Sequence, residues 1–375
     1  MTNKLTTLAR LIIGTGICCL SLSLEGCISP ITLHRAVLQY DRTVTQIENE
    51  LLLLNIARVR NNDSIHFSGI SSIIATFNFS VTGGWSGFWV QNPGLTSSSL
   101  GGNLSMTASE SPTITISPIQ GEEFTKRLLT PMGESKLEFL AHQGIDLGII
   151  LRLMGSEIAI RGQGHSGYAI NSPENPVQYE EFRRRVLHMA SLRQNNNLYI
   201  GPIRYTNGNN EEVIGRVTIT NFEMSQVSND YRRELQEEAR ILPRNQVLLV
   251  IGQGFPGGDY PLYGRIKLRN FKEILSFIGR TMGEQHEYQV EKDLRTRKVP
   301  VNPDRTIAIR EDKSHPGFGK VAVEHKDFWY SIDESSEDPL VRQWNNQAFD
   351  VLYQLFQMTV TDVSRAQSPM ITIAK

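Results

Sequence analysis

Apolar residues recur along this chain with two different periods. From His34 to Arg60, Val37, Val44, Ile47, Leu51, Leu54 and Ile56 return close to helical spacing, and Asn61-Asn62-Asp63 closes the long helix they predict. The period then drops to two. "SIIATFNFSVT" sets Ala75, Phe77, Phe79 and Val81 on one face, and "NLSMTAS" resumes the alternation with Leu104, Met106 and Ala108. Between them lies a Gly/Ser-rich stretch, Gly83 to Gly102, carrying Trp85, Phe88 and Trp89. The pattern predicts a β-hairpin over 73–109 with 83–102 as a long, loosely packed tip. Its aromatic residues suit a protein or membrane interface, so Trp85, Phe88 and Trp89 are the candidate interaction residues.

Helical patterns follow at Gly121–Leu129, Glu134–Gln143 and Ile145–Met154, with Asp146 placed to favour the positive end of the third. The Gly, Ser, Asn and Pro content of 162–176 predicts a linker. Beyond it a polar-faced helix, Val177–Gln194, precedes strands near Leu198–Tyr205 and Glu212–Phe222, joined by Asn207-Gly208-Asn209-Asn210. Helix Asp230–Ile241, strands Gln246–Ile251 and Leu262–Leu268, and helix Phe271–Met282 come next. The charged, Pro-containing segment 291–317 reads as a mobile excursion. Strands Lys320–His325 and Phe328–Ile332 precede a helix with Trp344, Ala348, Val351, Leu355 and Met358 along one face, and "MITIA" predicts a closing strand. The expected class is α+β, mixed helices with mostly antiparallel strands, in one or two domains. The expected divisions are an N-terminal region 35–161 and a C-terminal region 177–375 on either side of 162–176.

The first 34 residues have a different character. Lys4 and Arg10 precede an uncharged run from Leu11 to Leu24, too short for a membrane-spanning helix, so residues 1–26 read as a cleaved signal peptide. Leu24-Glu25-Gly26-Cys27 resembles the bacterial lipobox, with Leu three before the cysteine and a small residue just before it, although Glu25 replaces the usual small apolar residue. The resemblance implies that Cys27 is acylated and begins the mature chain, with 27–34 as its lipidated tether. More than one acyl chain anchors a protein stably in a bilayer, where a single chain holds only marginally. Ile28 in place of an inner-membrane-retaining aspartate implies the outer membrane, facing the periplasm.

Composition narrows the chemistry. All three cysteines, Cys18, Cys19 and Cys27, lie within the leader and its junction, so the body can form no internal disulfide, thiolate metal site or cysteine nucleophile. Cleavage removes Lys4, Arg10 and Glu25 and leaves 36 basic against 38 acidic residues, a balance with no electrostatic footprint for nucleic acid. Arg183-Arg184-Arg185, preceded by Glu180 and Glu181, reads as a solvated helix face.

Gly252, Gly254 and Gly257 have dinucleotide-binding spacing after an apolar strand, but Pro256, Gly258 and Pro261 follow where that chemistry needs a helix N-terminus. A strand-to-strand turn is expected there. His66 and His142 read as interior or boundary residues. His325 stands beside Glu324 and Asp327 on a strand whose neighbours alternate in direction, and Asp333, Glu334, Glu337 and Asp338 read as a solvated acidic turn. No catalytic, cofactor-binding or metal-ligating residue is assigned.

Three stretches, "ELLLLNIARVRNNDSIHFSGISSI", "ISPIQGEEFTKRLLTPM" and "FWYSID…FDVLYQLFQMTV…PMITIAK", resemble a family of proteobacterial lipoproteins with no assigned activity. The last differs from that family's pattern in the charged insert "ESSEDPLVRQWNN". The resemblance implies location and fold relatedness and transfers no functional residue. The expectation is a membrane-anchored envelope lipoprotein acting structurally or through partners, which are the bilayer at Cys27 and other envelope proteins. A periplasm-facing enzyme whose groups converge from distant positions, or an oligomeric membrane-inserting assembly built on the 73–109 hairpin, are the alternatives.

Overall fold

A computed structural model describes residues 34–92, 95–161, 167–283, 286–317 and 321–364, with the backbone alone at 70–112, 114, 117 and 360–364. The fold is α+β. Two compact units emerge: a body formed by the chain up to Phe67 together with the chain from Gln120, and a separate unit, Ser68–Ile119. The signal peptide, the tether with Cys27 and the expected closing strand lie outside the described residues.

Helix α1 spans residues 34–60, as its apolar period requires. After it run α2 (Glu122–Leu129), α3 (Glu134–His142) and α4 (Leu147–Met154). Every residue of α4 is buried, which fits a helix apolar at every position but Arg152, and the Asp146 carboxylate caps it by accepting from the Gly148 amide at 2.7 Å. Strands β3 (Gly155–Ile160) and β4 (Tyr168–Ile170) lead to α5 (Pro176–Gln194). Then come β5 (Tyr199–Thr206), β6 (Glu212–Thr220), α6 (Asn229–Arg240), β7 (Gln246–Ile251), β8 (Leu262–Leu268) and α7 (Phe271–Thr281). Short strands β9 (Ile309–Asp312), β10 (Ala322–His325) and β11 (Phe328–Ile332) precede α8 (Pro339–Ser364).

The central sheet has the order β4-β3-β8-β7-β6-β5 and is antiparallel except where β6 meets β7. That parallel pair is joined through α6, the crossover such a pairing requires. Ile203, Phe222, Leu235, Ala239, Leu248 and Val250 form the core beneath α6. Val247 to Ile251 are all buried, so β7 is covered on both faces, as its unbroken apolar run suggests. Gly264 is needed for close sheet packing: a Cβ there would stand 1.9 Å from the Ala159 carbonyl oxygen. Strands β10, β11 and β9 form a second, antiparallel sheet, and α8 packs on α2, α4 and α7.

Several expectations change. Segment 162–176 itself supplies strand β4, which pairs with β3 in the sheet that β8 also joins, so the expected linker contributes to the central sheet. Segment 291–317 is not an excursion, since Thr296, Thr306, Ile307 and Ile309 are buried and Pro303 and Asp304 present carbonyls to buried arginines. The largest change concerns 83–102. Strand β1 runs from Phe67 to Asn92 and β2 from Leu95 to Ile119, paired with each other and separated in sequence only by Pro93 and Gly94. The stretch expected as a loose tip is therefore paired strand. Its glycines suggested a loop, yet alternation continues through them, with Trp85 and Trp89 at one parity and Ser80, Thr82 and Ser86 at the other.

Candidate functional site

The ribbon formed by β1 and β2 is rooted by its first residue. Phe67 is 1% exposed and stacks on Phe356 at 4.7 Å between ring centroids, with Phe124 at 6.0 Å and Phe271 at 6.3 Å. The residue before it is clamped by α1. The buried Asn55 side chain donates to the His66 carbonyl at 2.9 Å and accepts from the His66 amide at 2.8 Å, while Arg58 Nη1 donates to the same carbonyl at 2.8 Å. An aromatic plug and a two-way amide clamp thus fix where the chain leaves the body. The His66 ring itself is exposed, as is His142, so neither is the interior histidine its apolar surroundings suggested.

The ribbon consists of two strands of 26 and 25 residues, several times the usual strand length of about 5–6. No other strand pairs with either of them among the described residues. Each edge therefore turns about a dozen residues' N–H and C=O groups outward, the bare template that sheet proteins normally shield with charge. This ribbon has almost none: Glu110 is the only charged residue from Phe67 to Ile119. Trp85, Phe88 and Trp89 all lie in β1, with Trp85 and Trp89 at one parity and Phe88 at the other. At the far end of β2, Ile116 is 64% exposed.

Within the body the sequence candidates scatter. The Gly252–Gly257 stretch turns between antiparallel β7 and β8 rather than opening a helix. Its groups are already engaged: Asn221 Nδ2 donates to the Gly252 and Pro256 carbonyls at 2.9 and 3.0 Å, and the Gly252 amide donates to Asn221 Oδ1 at 2.8 Å. Gly257 has φ 79°, and a Cβ there would meet Leu192 at 2.3 Å. His325 Nε2 lies 2.8 Å from Asp63 Oδ2, with Lys326 Nζ 2.7 Å from the same oxygen. The bonds from Lys326 and His325 hold the Asp63 carboxyl below its ordinary pKa. Asp333 and Asp338 accept from the Ser335 and Leu340 amides at 2.9 and 2.8 Å, so they shape the entry to α8. No group of three or more His, Cys, Asp or Glu that could hold a metal occurs among the described residues.

The sequence gives no warning of the buried polar lattice in the body. Arg183 and Arg185 are 0% and 1% exposed, whereas Arg184 keeps its solvent access, so the triple-arginine run is not one solvated face. Arg183 Nη1 donates to Tyr179 Oη at 2.5 Å, to Glu287 Oε1 at 3.3 Å and to the Asp304 carbonyl at 3.0 Å, and Nη2 donates to the Pro303 carbonyl at 2.9 Å. Arg152 reaches the same strap through Pro303 O at 2.9 Å and Asn302 Oδ1 at 2.7 Å. Arg185 holds the carbonyls of Ile158 and Gly167 at 3.1 and 2.8 Å, and Arg269 those of Arg152, Leu153 and Asn171 at 3.1, 3.2 and 2.6 Å.

Burial, with Arg183 nearby, pushes Arg152 down to about 9, and burial likewise pushes Arg269 down to about 9, which leaves both charged at neutral pH. Most of these acceptors are carbonyls at the end of α4 or outside the regular strands, which no ladder serves, while Ile158 lies within β3. This lattice braces the fold by tying distant segments of the chain together. No family model, curated protein or solved structure matches the chain.

Proposed function

We propose that this protein is a lipid-anchored component of the bacterial envelope, held by acylated Cys27 in the outer membrane facing the periplasm, and that it acts by assembly rather than catalysis. The observation that carries the reading is the ribbon, a long, nearly charge-free β element whose bare edges favour pairing with another strand. The lipobox-like Leu24-Glu25-Gly26-Cys27 and a body without cysteine support the anchor. Radiolabelled palmitate fed to a Gram-negative host expressing the chain should enter the protein and be lost in Cys27→Ser. Mass spectrometry of the detergent-extracted protein should find an acylated N-terminus at Cys27. An unmodified terminus at another residue removes the anchor from the reading.

A further inference from the structure

We propose that several copies of this chain pair their ribbons edge to edge and close a β-barrel across a bilayer, with the hydroxyl-rich faces of the strands lining a water-filled interior. The inference deepens the assembly reading above and rests on it for location. It starts from two faces of opposite chemistry. In β1 the odd positions from Ile73 to Trp89 are Ile73, Ala75, Phe77, Phe79, Val81, Gly83, Trp85, Gly87 and Trp89. The even positions between Thr76 and Ser86 are Thr, Asn, Ser or Gly. In β2 the parity reverses. Leu100, Leu104, Met106 and Ala108 are even, whereas every odd position from Ser97 to Ser117 is Ser, Thr, Asn or Gly.

Strands joined by two residues pair with their ends opposite one another, so the odd set of β1 and the even set of β2 fall on the same face. Within the stretches Phe79–Trp89 and Ser98–Ala108 the ribbon thus has one mainly apolar face, broken by Ser98 and three glycines, and one uncharged polar face on which Phe88 is the exception. Transmembrane barrel strands have this dyad pattern, apolar toward lipid and polar toward the lumen.

Length and charge place the crossing. A tilted spanning strand needs roughly 9–11 residues. Phe79–Trp89 and Ser98–Ala108 are 11 residues each and carry no charge. Glu110 falls on the apolar face just beyond, where a carboxylate tolerates an interface but not the hydrocarbon, and so marks the body-side border of the crossing. Trp85 and Trp89 lie toward the Pro93-Gly94 end, where a rim of aromatic residues suits the far interface.

Closure follows from the bare edges. Hydrocarbon offers no hydrogen-bond partner, so a spanning sheet admits no open edge. One ribbon supplies two strands and no means of closing on itself. An identical ribbon carries the complementary edge by construction. About eight strands make the smallest barrel, filled by its own side chains, so an aqueous interior needs more than about four copies.

Adjacent residues supply the test. Full-length protein is reconstituted by detergent removal into phosphatidylethanolamine–phosphatidylglycerol vesicles loaded with carboxyfluorescein, so that insertion does not depend on the acyl chains. Dye release and the mass of the unheated oligomer are measured for the wild type, Val81→Lys and Thr82→Lys. Vesicle flotation and body unfolding are recorded alongside. The wild type should release dye as an oligomer. Val81→Lys, on the apolar face, should cut release at least tenfold with the body's unfolding unchanged, while Thr82→Lys, one residue away on the polar face, should release within about twofold of wild type. No release from wild-type vesicles, a monomeric wild type, or equal loss in both variants overturns the barrel. Flotation of the wild type without release leaves the lipid anchor standing and the barrel refuted. Release with no palmitate at Cys27 refutes the anchor alone.

Discussion

Arg183, Arg184 and Arg185 are consecutive in sequence and face three different environments, which makes them a sharp test of the lattice. Truncating Arg183 to Met leaves Glu287 buried at 4% exposure with one fewer cation and takes the Arg183 donor from the Asp304 carbonyl, while the Pro303 carbonyl keeps Arg152 Nη1. Removing one member of a buried ion pair costs about 3–5 kcal/mol, and each orphaned buried carbonyl adds about 1–3. Glu287 keeps Tyr179 Oη and the amide and hydroxyl of Thr306, so the lower end of that range is appropriate, and the expected loss is about 4–6 kcal/mol. Arg185→Met orphans the Ile158 and Gly167 carbonyls but leaves Glu181 partly in water, and should cost about 2–4 kcal/mol.

Arg184 is paired to Glu180 at the surface, 36% exposed, and Arg184→Ala should cost no more than about 0.5 kcal/mol. Urea unfolding followed by circular dichroism, with midpoints converted through a common slope, measures all three. If Arg183→Met loses less than about 1.5 kcal/mol, or if the three variants are equal within about 0.5, the carbonyl-bracing argument is refuted.

Two further outcomes follow from the body. Phe67→Ala removes the ring stacked on Phe356 and should destabilise the body by about 3–5 kcal/mol; a loss under about 1 kcal/mol in the same urea assay means the plug does not anchor the ribbon. His188 is buried, with Nε2 3.1 Å from the Gly257 carbonyl oxygen and Nδ1 3.2 Å from Thr296 Oγ1, and burial holds its pKa below the ordinary 6.5. The unfolded chain therefore binds the proton first, so the stability tied to neutral His188 is complete above about pH 6.5 and is lost as pH falls through the window below it. The stability difference between wild type and His188→Gln should shrink from about pH 7.5 to about pH 5. A difference constant with pH would show that His188 does not titrate on unfolding.

What could be read from the sequence was what depends on local period. The extent of α1, the strand β7 and the buried stripe of α8 follow from the apolar pattern, although α1 buries Leu52, Leu53, Ile56 and Ala57 while Val37 of the expected stripe is exposed, and β7 is apolar on both faces. The Asp146 cap was legible for the same reason, as a short-range bond within two residues. The ribbon was legible only in part. Its two ends alternate plainly, but Gly83, Gly87 and Gly102 interrupt the apolar face with residues that suggest turns, and Gly84 and Gly101 stand among the hydroxyl and amide residues of the polar face, between Thr82 and Ser86 and between Ser99 and Asn103.

Trp85 and Trp89 were recognised as unusual, and their placement changed from a tip to a strand. The arginine lattice was invisible because its partners lie far away along the chain. Glu287 is 104 residues from Arg183 and Pro303 is 120, and most of the acceptors are backbone carbonyls, which carry no sequence signal. Charge runs predict solvation only when nothing distant folds over them.

The bare edges also govern what happens before any assembly is complete. A head-to-tail contact between identical strands has two outcomes: the rotation from copy to copy closes a ring, or it does not and the contacts continue as an open stack. With Glu110 as its only charge, and Pro93, Pro112 and Pro118 as its only backbone interruptions, this ribbon carries few of the gatekeepers that stop such stacking. Ring and fibre thus compete for the same edge, and free concentration tips the competition toward fibre. Should the proposed acylation of Cys27 tether the chains to a bilayer, their confinement to two dimensions would remove most orientations from which a stack could grow and keep those from which a ring can close.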